Sequence, residues 1–255
     1  MSIVKMQKIL HNSPLGDLRT KFMKNLACIF ADFFELFFPR TCVACGNRLI
    51  SQENFVCIDC WLDLPVTLFH DEDENKVIQL FWGRANITHA TAYFSYKKGS
   101  RYQRLIYAIK YRGMKKLGFE IGKKFGFELK EANSFGSVDL IVPVPLHPRK
   151  QKIRGYNQSE WIANGIANAM ELPVITNNLI RKVHTPTQTN KNRFERWQNV
   201  EEIFDVKNPE FFTGKHVLLI DDVVTTGSTL EACAFHLLKI NNTKVSIATL
   251  AFADI

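Results

Sequence analysis

Two adjacent carboxylates, Asp221 and Asp222, are followed within seven residues by Thr225, Thr226, Gly227, Ser228 and Thr229. Paired acids accept hydrogen bonds from hydroxyl groups or hold a metal-bound ligand. Four hydroxyl side chains supply donors to an anion, and the glycine lets the backbone come close to it. The stretch Leu230 to Ile240 that follows is predicted to be a helix; its free N-terminal N–H groups and positive dipole end favour an anion as well. Acids beside an anion loop suit one ligand with both hydroxyls and a phosphate, a phosphorylated ribose. A turn that merely caps a helix needs neither two acids nor four hydroxyls.

A second constellation is Cys42-x-x-Cys45 and Cys57-x-x-Cys60, with eleven residues between the pairs. Each pair can sit on a tight knuckle that aims two thiolates at one point, and four complete the closed tetrahedron of a structural zinc site. Gly46 supports such a turn. Disulfides would suit a secreted chain, but Lys5, Lys8, Asp17, Arg19, Lys21 and Lys24 interrupt residues 1–25 and leave no apolar export core. The expectation is therefore zinc and a cytoplasmic location. Cys28 and Cys233 read as small buried hydrophobes.

The elements that must position these groups are legible in the apolar runs. Val217 to Ile220 is a strand covered on both faces and expected to end at the acids. Ala92–Tyr96, Asp139–Val144 and Val245–Ala251 supply further strands, and Tyr102–Ile109, Leu117–Lys130 and Gly155–Met170 read as helices. This alternation predicts an α/β fold, a doubly wound and mostly parallel sheet with ligands at the strand C-termini. The predicted layout is an amphipathic N-terminal segment over 1–40, a zinc ribbon over 41–65, a linker over 66–89 and the main domain over 90–255. Phe30, Phe33, Phe34 and Phe37 form one stripe of the first segment, which is too short and too acidic to span a membrane.

The composition, 46% hydrophobic, allows a sizeable core, and the net charge of +8 asks for a partner or a strongly solvated surface. The basic residues gather in Lys97–Lys130, Arg149–Arg154 and Arg181–Arg196. The strand Leu140–Val144 runs into Pro145 to Gln158, a segment stiffened by Pro145 and Pro148 with four cations between Arg149 and Arg154. His147 is expected to hydrogen-bond locally. Residues 181–199 are polar, basic and nearly free of aliphatics, which suits either a mobile lid or an ordinary exposed loop.

The Asp221–Thr229 run matches the phosphoribosyl-diphosphate (PRPP) signature of type I phosphoribosyltransferases. With both Cys pairs, Lys110-Tyr111-Arg112-Gly113, Pro143-Val144-Pro145-Leu146-His147-Pro148, Arg154-Gly155-Tyr156-Asn157-Gln158, Thr185-Pro186-Thr187-Gln188 and Arg196 with Asn199, the chain resembles the ComF family. These are phosphoribosyltransferase-like proteins with an N-terminal zinc ribbon, several tied to natural transformation and single-stranded DNA. The resemblance implies a type I phosphoribosyltransferase-like fold in which Asp221 and Asp222 hold the ribose hydroxyls and Thr225, Thr226, Gly227, Ser228 and Thr229 cradle the 5-phosphate. Arg149, Lys150 and Arg154 would meet pyrophosphate, and Arg181, Gln188, Arg196 and Asn199 would belong to the flexible loop. Mg²⁺ would accompany PRPP, and Cys42, Cys45, Cys57 and Cys60 would hold Zn²⁺. Single-stranded DNA and DNA-uptake proteins are the implied partners.

Two alternatives compete with an enzyme. A nucleic-acid module could keep the pocket to sense a nucleotide or a 5-phosphate end, with Tyr107, Tyr111, Tyr156 and Trp197 stacking on bases; core packing is the plainer use of those rings. A scaffold could use the ribbon and the Phe-rich segment to dock a partner protein.

Overall fold

The computed structural model describes residues 37–182 and 203–254, which fall into two compact units divided after Trp61. The predicted N-terminal segment lies outside the described residues up to residue 36.

The smaller unit is a cysteine ribbon. Thr41 bridges Arg48 in antiparallel fashion, and between them the chain turns back on itself, with Cys42 N–H donating to Asn47 O (2.8 Å) and Gly46 N–H to Cys42 O (2.8 Å). Gly46 holds φ +88°, which only glycine adopts without strain. The second Cys pair straddles the start of α1 (Ile58–Leu62). Glu53 caps that helix, accepting from Ile58 N–H (2.7 Å) and Ile50 N–H (2.9 Å); these two bonds hold its carboxyl below the usual range.

The larger unit is built on a four-stranded parallel sheet of order β1–β6–β5–β2: β1 Ala90–Tyr96, β2 Leu140–Pro143, β5 His216–Val224 and β6 Lys244–Ala253. Helices cover both faces. On one face α2 (Lys76–Gln79) and α7 (Ser228–Leu238) pack on Ala90, Val142, Val217, Leu219, Val245 and Ile247. Alternate strand residues, Leu218 and Ile220 among them, point the other way, where α4 (Lys115–Glu131) and α6 (Gln158–Met170) lie. In the chain α3 (Gln103–Tyr111) precedes α4, and the short, unburied α5 (Pro148–Arg154) precedes α6. A separate antiparallel pair, β3 (Leu179–Arg181) and β4 (Phe204–Val206), flanks the undescribed residues.

α4 and α6 touch backbone to backbone. A β-carbon on Gly165 would lie 2.1 Å from Phe119 O, and one on Gly122 would lie 2.5 Å from Ile162 O. Both glycines are therefore required by close approach, which anchors α6 and the Ser159 it carries.

Three sequence expectations change. Residues 66–89 are not a linker: Asn75 caps α2 by accepting from Val77 and Ile78 N–H (2.9 and 3.1 Å), and Val77, Ile78 and Phe81 are buried in the main core. The acids Asp71–Glu74 are exposed and Val77 and Ile78 just after them are buried, so composition alone misplaced the boundary. Pro145–Gln158, expected as a proline-stiffened connection, contains the short helix α5, which Pro148 at N1 and the His147 cap start. β5 continues through both acids to Val224, because its backbone pairing with β6 persists to Phe252 regardless of side-chain polarity.

Candidate functional site

The paired carboxylates lie near the C-terminal end of β5, on neighbouring residues and hence on opposite sides of the strand. Asp222 is 4% exposed, and Lys110 Nζ of α3 sits 2.9 Å from its Oδ1. Its Oδ2 is buried and finds no hydrogen-bond partner among the described residues. Asp221 Oδ1 accepts from Ser159 Oγ (2.9 Å) at the start of α6 and from Asp222 N–H (2.8 Å). Burial and the neighbouring Asp222 push the Asp221 carboxyl up to about 7, against the Ser159 and backbone hydrogen bonds and the Lys110 charge. Burial works to lower Lys110, but the two acids outweigh it and raise its ammonium above the ordinary value. Two acids thus share one ammonium, and the cluster carries a surplus carboxylate.

After Val224 the chain turns through Thr225–Thr229 into α7 and forms a small polar concavity that Asp221 also lines. Gly227 is the N-cap at φ +74°, with no side chain capping the first turn, so the turn's N–H groups are left for a ligand. The four hydroxyl residues are exposed while Gly227 is buried; a β-carbon at Gly227 would meet Phe81 Cε1 at 3.0 Å.

Sequence reasoning missed the brace behind this loop. Arg84 Nη1 donates to Thr226 O and to Leu80 O (both 2.8 Å), and its Nη2 pairs with Glu231 and reaches Ser228 Oγ (3.5 Å). The planar guanidinium suits this, since it serves two carbonyls and a carboxylate at once. Nothing local could reveal it, because Arg84 lies in the stretch read as a linker. Ser159 and Lys110 were also missed as site residues, although Lys110 opens Lys110-Tyr111-Arg112-Gly113, one of the motifs that carry the family resemblance.

The Arg154–Gln158 motif resolves into separate structural jobs. Gly155 closes α5 at φ +76°, Tyr156 Oη donates to Ile109 O, and Asn157 both caps α6 at Ser159 N–H (3.1 Å) and donates to Val144 O (2.9 Å). Arg154 is already engaged: Nη1 donates to Gln158 Oε1 (2.7 Å), and the guanidinium lies 5.0 Å over the Tyr111 ring. Arg149 and Lys150 are exposed on α5, none of whose residues is buried. His147 hydrogen-bonds locally, its Nδ1 accepting from Arg149 N–H (3.1 Å). Of the predicted flexible-loop residues, Arg181 ends β3 with its guanidinium 5.3 Å over Phe204; Gln188, Arg196 and Asn199 lie outside the described residues, as does Trp197.

In the ribbon, the Sγ atoms of Cys42, Cys45, Cys57 and Cys60 all lie within 4.8 Å of one another. Cys45 and Cys57 Sγ are 3.7 Å apart, matching the edge of about 3.8 Å that four bonds of about 2.3 Å give a tetrahedral Zn–S₄ centre. Asn47 N–H and Cys57 N–H point at Cys45 and Cys42 Sγ (both 3.4 Å), as bonds that favour thiolates do. Burial would raise the Cys42 thiol, but hydrogen bonds from the Cys45, Cys57 and Ala44 backbone bring it down to about 6; burial and neighbouring sulfurs push Cys60 up. The donor set fits zinc. Among the described residues no helix is long and apolar enough to cross a membrane.

Residues 157–254 match the phosphoribosyl transferase domain family, a span holding α6, β5, the hydroxyl loop, α7 and β6. Competence protein F of Haemophilus influenzae is 32% identical over 127 residues, 49% of this chain and 56% of that protein. Competence protein ComFC of Bacillus subtilis is 34% identical over 100 residues, 39% and 38% of the two chains. DNA utilization protein YhgH of Escherichia coli K12 is 34% identical over 101 residues, 40% and 44%. The matched region thus spans between about two fifths and just over half of these relatives. Among solved structures, the B. subtilis glutamine PRPP amidotransferase aligns at 22% identity and a TM-score of 0.37, covering 51% of this chain and 26% of that one.

Proposed function

We propose that this chain is a ComF-type, phosphoribosyltransferase-like protein that binds PRPP as its Mg²⁺ complex and promotes displacement of pyrophosphate, a reading supported by its similarity to two competence proteins, by the phosphoribosyl transferase match and by the four-cysteine cluster. The observation that carries the reading is the union of a paired-carboxylate strand end with an uncapped helix N-terminus, in one concavity that Asp221 and the Thr225–Thr229 loop line together. Asp222, with a buried oxygen still lacking a partner, and Asp221 would accept from the ribose 2- and 3-hydroxyls. Thr225, Thr226, Ser228 and Thr229, with the N–H groups around Gly227, would hold the 5-phosphate. In the reaction a nucleophile bonds to C1 as the C1–O bond to pyrophosphate breaks, the diphosphate leaves with the electron pair, and the acceptor's proton passes to solvent. Little acid-base chemistry is asked of the protein; positioning and charge do most of it. Arg149 and Lys150, exposed on α5, and Arg154 once it leaves Gln158 would stabilise the growing charge on pyrophosphate. The lid role of Gln188, Arg196 and Asn199 belongs to the same proposal.

The relatives' names, competence proteins and a DNA utilization protein, support extending the reading to a role in handling DNA, and a reduced four-cysteine zinc site suits the cytoplasm. The test is pyrophosphate release from PRPP with Mg²⁺ in wild type and Asp222→Asn. Wild type is expected to exceed the buffer rate and the variant to fall to it with unchanged circular dichroism. A variant that releases pyrophosphate at the wild-type rate overturns the role of that carboxylate.

A further inference from the structure

Tyr107 and Tyr111 stand one helical turn apart on α3, their rings 5.0 Å centre to centre and tilted by 44°. They are 54% and 62% exposed, so core packing does not account for them. Tyr156, which the sequence grouped with them, is committed to Ile109 O. Leaving two neighbouring aromatic faces in water forfeits burial that tyrosine normally gains, and such pairs mark surfaces that receive a ligand. Arg154 backs the Tyr111 ring at 5.0 Å, which fixes its plane.

The rings line a hollow of about 500 Å³ together with Tyr96, Gln103, Arg104 and Lys110. Two of those residues belong to the carboxylate cluster. Lys110 holds Asp222 at 2.9 Å, and Tyr96, whose phenol burial raises, feels the charges of both Lys110 and Asp222. The hollow therefore opens beside the paired acids, with an aromatic floor and cations at its edge. A ligand that matches it is flat, offers a π face to tyrosine and brings negative charge to Arg104 and Lys110.

We infer that this hollow is a base-stacking subsite that takes the planar base of a nucleotide on Tyr107 and Tyr111, with its phosphate toward the surrounding cations. The base can come from a free nucleotide or from an unpaired strand. The subsite deepens the PRPP reading by giving it a class of second ligand next to the ribose carboxylates, and it rests on that reading only for its part in transfer.

The test uses full-length, zinc-loaded protein as wild type, Tyr107→Ala/Tyr111→Ala and Tyr107→Phe/Tyr111→Phe. Thymidine monophosphate, a fluorescein-labelled thymidine oligomer, base-free ribose 5-phosphate and PRPP with Mg²⁺ are titrated into each. Loss of stacking should weaken the base-containing probes by about tenfold or more in the Ala variant; the Phe variant, which keeps the ring faces, should bind them as wild type does. Ribose 5-phosphate and PRPP should be unaffected by either change. Ring dependence with the monophosphate alone assigns a free nucleotide, with the oligomer alone a strand, and with both a base from either source. The inference is overturned if wild type binds neither base-containing probe, if the Ala variant binds them equally well, or if the Phe variant loses them as the Ala variant does. Wild type that binds a base-containing probe but not PRPP refutes the PRPP reading and leaves the subsite standing.

Discussion

Replacing Asp221 with asparagine should make the protein more stable while disabling the site. In the folded chain the Asp221 carboxyl is raised from 3.8 to about 7, chiefly by burial and by repulsion from Asp222. At about 1.36 kcal/mol per unit, holding it ionised at pH 8 costs roughly 4 kcal/mol relative to the unfolded chain. Solvent at the partly exposed carboxylate and its coupling to the Lys110 ammonium trim this to about 2–4 kcal/mol. Asparagine keeps the oxygen that accepts from Ser159 Oγ and Asp222 N–H and removes the surplus charge. A carboxyl whose folded value lies above its unfolded one keeps its proton longer in the fold, so wild type loses stability as pH rises from about 4 to about 7 and is level above that. Asp221→Asn lacks this loss. Thermal unfolding across pH 4–8 should therefore give coincident melting temperatures near pH 4 and a variant higher by roughly 5–10 °C at pH 8. Lys110→Met, which strands two acids without their cation, should lower stability at pH 8 by about 3 kcal/mol. A variant Asp221→Asn no more stable than wild type at pH 8, or more stable by the same margin at every pH, refutes the reasoning.

Three further outcomes follow from the geometry. Arg84→Met should weaken PRPP binding by about tenfold in calorimetry, the loss of a charge-assisted brace on Thr226 O, and Arg84→Lys should recover little of it because one ammonium cannot span the same partners; wild-type affinity in Arg84→Met contradicts the brace. Cys60→Ser should lose zinc by mass spectrometry of the metal while wild type retains it, since three sulfurs leave the tetrahedron open; undiminished zinc in the variant contradicts the four-sulfur site. Gly165→Ala should destabilise by about 3 kcal/mol, because its new methyl must displace Phe119 O, and an unchanged chemical denaturation midpoint would show that the two helices are free to part.

Much of the sheet could be read because buried parallel strands are continuous apolar runs: Val217–Ile220 and Leu140–Val142 announce themselves. The anion loop was equally plain, since its acids, hydroxyls and glycine are contiguous, and the cysteine pairs gave their own spacing. What stayed hidden depends on contacts between distant positions. Arg84 and Glu231 are brought together only by the fold, as are Lys110 and Asp222. Segment 66–89 misled because three apolar residues on one turn, Val77, Ile78 and Phe81, weigh less in composition than the acids before them. Gly122 and Gly165 carry no local turn signal, and their purpose appears only when the partner helix lies against them. Arg154 was read as a cation waiting for an anion, whereas Gln158 and Tyr111 already hold it.

The most direct test is calorimetric titration of zinc-loaded protein with PRPP and Mg²⁺, in parallel with the double variant Asp221→Asn/Asp222→Asn. Saturable binding by wild type that disappears in the double variant is the predicted result. Heat of binding that survives loss of both carboxylates, or its absence from wild type, would contradict the assignment of this strand end and loop as a phosphoribosyl site.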